Sequence, residues 1–192
     1  MARRALTGVL LVGGASRRFG SPKALARIGG ETLAERIWSV LGEACDERFA
    51  VGKAGELDLP FDVRDDGSAV RAPIFGVVAG LRAARHDVAV IVPVDCPLVT
   101  PGVLRALGEA CRDAAVPEAG PLPGAWAKSA LPVLERRLVD GRLALRDAYE
   151  ELDVVRPEVD QSLLRDVDTP EELSALLRGQ DPSSYSTRLG RG

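Results

Sequence analysis

Leu10-Leu11-Val12-Gly13-Gly14-Ala15-Ser16-Arg17-Arg18-Phe19-Gly20-Ser21-Pro22-Lys23 is the stretch on which the reading of this chain turns. The apolar run that ends there begins at Ala5. Ala5–Val12 is short, continuous and stopped by glycine, the pattern of a strand buried on both faces of a parallel sheet. Two arginines, a third glycine and a lysine follow the Gly13-Gly14 pair. Glycine lets a backbone adopt φ > 0 and approach a ligand closely. Clustered Arg and Lys supply the positive charge that a polyphosphate requires. Such a loop places an anionic ligand, a nucleotide phosphate, at the carboxyl end of the first strand, where open α/β sheets bind their ligands. Spacing excludes two other phosphate loops. Lys23 precedes Ala24 and not Ser or Thr, and glycines at 13, 14 and 20 do not fit G-x-G-x-x-G.

Outward from this loop, strand-like and helix-like segments alternate. Glu31–Ala44 carries Leu33, Ile37, Val40, Leu41 and Ala44 at helical spacing. Short strands are expected at Arg48–Val51 and Phe61–Arg64, and a helix over Phe75–Ala84. Asp87–Val94 is almost continuously apolar and rich in valine, the clearest strand in the chain, and it runs into Asp95. Thr100 and Pro101 form an N-cap and first-turn pair for a helix through Cys111. A strand at Ala114–Val116, helices at Ala130–Val139 and Leu143–Leu152, and a late strand at Val154–Arg156 follow. Thr169-Pro170-Glu171-Glu172 is a capping box that opens a last helix to about Arg178. The order predicts a three-layer α/β/α, Rossmann-like domain with a mostly parallel sheet. It occupies residues 1–178, and a polar Ser/Gly/Arg-rich tail occupies 179–192.

At 192 residues the chain is long enough for one well-buried α/β domain. A net charge of −3 and 4% aromatic residues argue against nucleic-acid binding, because no basic stripe extends beyond the cluster at residues 17–23. Three cysteines, an odd number without framework spacing, fit a reduced, cytoplasmic compartment. No run has the length of a membrane span, and no secretory signal is seen. His86, the single histidine, lies in an Arg85-His86-Asp87 turn, so histidine-based nucleophilic chemistry is excluded.

The loop resembles L-x-G-G-x-S-x-R-[FM]-G-x-x-K of the small nucleotidyltransferases, and within them the MobA-like molybdenum cofactor guanylyltransferases. Further segments carry the likeness: Pro93-Val94-Asp95-Cys96-Pro97-Leu98, then Ala72-Pro73-Ile74-Phe75-Gly76 through Gly80-Leu81, then Asp166-Val167-Asp168-Thr169-Pro170. The resemblance implies a nucleotidyltransferase fold and transfer of GMP from GTP to the terminal phosphate of molybdopterin, with release of pyrophosphate. It implies nucleotide contacts at Leu11, Val12, Gly13, Gly14, Arg18, Lys23, Asp65 and Asp95. Arg18, Lys23 and Asp95 would act in catalysis, and Asp95 would hold Mg²⁺, a hard cation that favours carboxylate oxygen. GTP, molybdopterin or its molybdenum form, and the molybdoenzymes or delivery proteins that receive the product are the implied partners of a monomer or weak oligomer.

The chain departs from the family pattern in places. Ala72 stands where a glycine is usual. Asp66 competes with Asp65 for the nucleotide role. Val51-Gly52-Lys53 lacks an Asn common after the second strand. Asp166 and Asp168 replace both asparagines of N-x-N-T-P. The alternatives are a CTP-dependent cytidylyltransferase, another small-acceptor nucleotidyltransferase, and a non-catalytic GTP-binding or cofactor-delivery module. Leu11-Val12-Gly13-Gly14 rather than L-A-A-G, and Pro93 at the strand end, favour the guanylyl branch.

Overall fold

The computed structural model describes residues 3–13, 22–53, 57–169, 171–173 and 175. Strand β1, Leu6–Leu11, is buried along its whole length. A turn of 3₁₀ helix at Lys23–Leu25 leads into a two-residue hairpin, β2 (Arg27–Ile28) with β3 (Glu31–Thr32). Gly29 and Gly30 make its turn at φ +57° and +99°, values that L side chains rarely adopt. Helix α1, Leu33–Ala44, starts after Thr32, whose hydroxyl accepts from the Glu35 amide while the Glu35 carboxylate accepts from the Thr32 amide. This capping box corrects the expected start at Glu31, since Glu31 and Thr32 are paired in the hairpin before the helix begins.

Next come β4 (Glu47–Gly52), β5 (Val63–Asp65), α2 (Pro73–Ala83), β6 (Val88–Pro93) and α3 (Pro101–Ala110). The chain continues through β7 (Ala114–Ala115), β8 (Gly124–Ala127), α4 (Leu131–Val139) and β9 (Val154–Val155). The Thr100 hydroxyl caps α3, as its sequence predicts. Leu143–Leu152, expected as a helix, is a run of 3₁₀ turns over Leu145–Glu151. Tertiary ties override propensity there. The buried Arg137 guanidinium of α4 holds Glu151 at 2.9 Å and Asp147 at 3.5 Å.

Seven strands form one sheet in the order β5-β4-β1-β6-β8-β7-β9. All neighbours are parallel except those of β8, which runs antiparallel to both β6 and β7. The sequence reading did not find β8. Alternating residues of β1 feed two cores. Leu6 and Leu10 pack with α1 and α3 on one face, whereas Val9 and Leu11 pack with α2 and α4 on the other. Each fully buried leucine or isoleucine contributes about 1.5–3 kcal/mol, so this alternation fixes the register and with it the level at which the strands end. Among the described residues no helix is long and apolar enough to cross a membrane. The expected tail, 179–192, lies outside the described residues.

Candidate active site

Sheet hydrogen bonding continues past the strand ends and sets the floor of the site. Val12 N–H donates to Val51 O at 3.0 Å, Val94 N–H to Leu11 O at 3.1 Å, and Asp66 N–H to Gly52 O at 3.0 Å. Val167 N–H donates to Asp95 O at 2.9 Å. Residues 52, 66, 95 and 167, distant in sequence, therefore stand along one carboxyl edge. Gly13 and Gly52 lie against each other at the ends of β1 and β4. A Cβ on Gly52 would fall 2.8 Å from Val12 Cγ2 and 3.2 Å from the Gly13 amide nitrogen, a clash that admits only glycine without a shift.

Lys23 and Asp95, both predicted from sequence, meet. Lys23 Nζ lies 3.5 Å from Asp95 Oδ2, and 3.0 Å from Asp168 Oδ1 on the chain that follows β9. The lysine is held by its short helical turn: Leu25 N–H donates to Pro22 O, Ala26 N–H to Lys23 O, and Ala24 is buried. Arg36 of α1 fixes the turn after Asp95, its Nε donating to Pro97 O at 2.7 Å. Burial pushes the Asp95 carboxyl above the usual carboxylate range. Lys23 opposes that rise, and the charge of Asp166 adds to it. A carboxylate in this state gains from any cation brought to it.

Cys96, next to Asp95, is buried, and burial together with Asp95 pushes its thiol up, so it is no nucleophile. Cys45 and Cys111 are likewise buried, with thiols pushed up to about 12.

Leu11 and Val12 reach the edge with their backbone, since their side chains belong to the core. Asp65, at the end of β5, is exposed, and its Oδ1 accepts the Gly67 amide at 2.7 Å. The Asp66 carboxylate is taken by the Lys53 ammonium and by the Ser68 amide at 3.0 Å. The ammonium also donates to Ser68 O. Asp66 is thus engaged inside the loop, and Asp65 is the more exposed of the two. Lys53 is the residue that sequence reasoning passed over. Its signal was a lone lysine just past a strand end, facing an Asp-Asp-Gly turn. Gly14 and Arg18, with Arg17, lie outside the described residues.

A mostly parallel sheet clad on both faces, presenting close-packed glycines, a lysine and a desolvated carboxylate at its carboxyl edge, is the architecture of a nucleotide-handling α/β transferase. Comparison with known proteins agrees. Residues 8–156 match the MobA-like NTP transferase domain. The molybdenum cofactor guanylyltransferase of Desulfosudis oleivorans is 31% identical over 160 residues, 78% of this chain and 79% of that protein. The crystal structure of molybdopterin-guanine dinucleotide biosynthesis protein A from Archaeoglobus fulgidus superposes with a TM-score of 0.74 at 25% identity, covering 90% of this chain and 97% of that one. The 2-C-methyl-D-erythritol 4-phosphate cytidylyltransferase of Thermus thermophilus shares the fold, with a TM-score of 0.69 at 20% identity over 88% and 96% of the two chains. The chain belongs to the MobA-like NTP transferase family.

Proposed function

We propose that this protein is a molybdenum cofactor guanylyltransferase, transferring GMP from GTP to the terminal phosphate of molybdopterin and releasing pyrophosphate. The observation that carries the reading is the meeting of Lys23 with Asp95 at the carboxyl edge of β6, beside the Gly13–Gly52 contact. The relative's name, molybdenum cofactor guanylyltransferase, supports the choice of donor and acceptor.

The acceptor phosphate is itself the nucleophile, so no covalent enzyme intermediate is required. Positioning and charge neutralisation at the α-phosphorus supply the catalysis. Lys23, with Arg18 by resemblance, neutralises the departing pyrophosphate. The backbone of Leu11, Val12 and Gly13, with Gly14 by resemblance, would lie along the nucleotide, with Gly13 admitting the closest approach. Asp65 accepts from the base or ribose.

The donor set fits Mg²⁺. Asp95 offers hard carboxylate oxygen at a half-buried edge. Magnesium is commonly held by one or two carboxylates together with substrate phosphates. Asp95 would hold it here, and when bound it supplies neutralisation of phosphate charge.

The test is thermal shift and calorimetry with GTP, CTP, ATP and UTP, each with Mg²⁺, then turnover of GTP with molybdopterin. Ligand at about a hundred times its Kd stabilises the native state by about 2.7 kcal/mol, several degrees for a chain of this size. GTP alone is expected to give that shift. A CTP preference moves the reading to cytidylyl transfer, and no response from folded protein overturns it.

A further inference from the structure

We infer that Asp168 is a positioning residue that holds the Lys23 ammonium in register with Asp95. The kinetic consequence rests on the nucleotidyl-transfer reading above; the contact does not. Lys23 Nζ is 3.0 Å from Asp168 Oδ1, closer than to Asp95 Oδ2, and the lysine side chain is only 13% exposed.

Asp168 is fixed by its backbone. Val167 N–H donates to Asp95 O at 2.9 Å, and Asp168 N–H donates to Glu172 Oε2 at 2.7 Å. Thr169 N–H reaches the same carboxylate at 3.2 Å, and Glu172 N–H donates back to Thr169 Oγ1 at 3.1 Å. The reciprocal Thr169–Glu172 contacts therefore deliver Asp168 to the lysine, and the peptide before it is tied to Asp95.

The group that Asp168 faces in this structure is the Lys23 ammonium. A carboxylate facing an acceptor phosphate repels it. One facing an ammonium anchors it. Two carboxylates on separate elements hold the ammonium between them. If Asp95 is engaged by a cation, Lys23 keeps Asp168 as its tether and stays beside the phosphates rather than following its own rotamer freedom. An amide at 168 keeps an acceptor oxygen but removes the charge.

Lys23, Lys53 and Lys128 are the chain's three lysines. Reductive ¹³C-methylation therefore gives a side-chain spectrum of three lysine resonances beside the terminal amine. Lys23→Arg assigns the first by its loss. Asp168→Asn is expected to move the Lys23 resonance and leave those of Lys53 and Lys128 in place; an unmoved Lys23 resonance overturns the inference. In steady-state assays Asp168→Asn is expected to lower kcat about fivefold, the upper range for a partly exposed ion pair. In a Lys23→Ala background it should change kcat less than about twofold, because the two residues act as a unit. Asp168→Glu should restore part of the loss. Should Asp168→Asn fail to fold, Glu172→Gln loosens the same anchor and should move the same resonance. Equal losses in both backgrounds, or a raised acceptor KM at unchanged kcat, refute the inference and make Asp168 an independent or acceptor contact. A wild-type protein that turns over no nucleotide defeats the transfer reading, and the resonance still decides the contact.

Discussion

The two ends of the central sheet treat carboxylates in opposite ways. At the amino edge, Asp46 accepts the Leu6 amide at 2.9 Å, and that hydrogen bond chiefly holds its carboxyl below the usual range. Glu47 lies beside it. Burial pushes its carboxyl up, but the Arg85 amide at 2.9 Å, the Thr7 hydroxyl at 2.8 Å and the charges of Arg85 and His86 outweigh burial and leave it low. At the carboxyl edge, six strand residues or roughly 20 Å away, burial prevails at Asp95 and its carboxyl is high. One edge satisfies its charges within the fold. At the other, burial of Asp95 prevails even with Lys23 beside it. Hydrogen bonds thus govern the carboxylates at the amino edge, and burial governs Asp95 at the carboxyl edge.

Asp95 carries the largest test of that contrast. Asp95→Ala is expected to cut GTP turnover by about a thousandfold or more, with the far-ultraviolet circular dichroism spectrum unchanged. Near-normal turnover would erase the distinction between the edges. Lys23→Ala should cost about ten- to a hundredfold in kcat/KM, as loss of one charged contact to a phosphate. Calorimetry should show weaker GTP binding, and an unchanged affinity would remove Lys23 from the nucleotide site.

Glu47→Gln sharpens the comparison from the other end. It should leave turnover within about twofold and lower Tm by about 2–4 °C at pH 7, the effect of losing roughly 1 kcal/mol of charge-assisted hydrogen bonding. The folded carboxyl is lowered, so its contribution to stability is present above the unfolded pKa of ordinary glutamate and is lost as pH falls through the lower folded value. The Tm difference between variant and wild type should therefore close in acid. A difference that persists there would assign the effect to packing.

The two edges were not equally legible in the sequence. β1 and β6 announce themselves as mainly apolar runs, and the rule that open sheets bind ligands at their carboxyl ends, with the family resemblance, led from them to Lys23 and Asp95. β8 does not, since Gly124-Ala125-Trp126-Ala127 has no β-branched residue and becomes a strand through its neighbours β6 and β7. The Lys53–Asp66 pair joins two loops 13 residues apart, and Lys23 with Asp168 joins chain 145 residues apart. Such contacts follow from strand order, which no local pattern contains. The amino-edge network was missed for the same reason: Glu47 and Thr7 meet through the pairing of β4 with β1.

The smallest expected effect is the most diagnostic. Because the Asp95 carboxyl is raised in the folded state, the native protein binds its proton more tightly than the unfolded chain does. Stability from this group is then present at pH below the unfolded value and is lost as pH rises through the folded one. Burial of the Asp95 charge thus works against the fold as pH rises. Asp95→Asn keeps the shape, removes that charge and leaves Lys23 its partner in Asp168. It should raise Tm by about 1–3 °C at pH 7, with the gain shrinking in acid, while turnover is lost. Glu47→Gln should do the reverse on both counts. If instead Asp95→Asn lowers Tm, the Lys23 pairing outweighs desolvation, and the carboxyl edge is built for stability as the amino edge is.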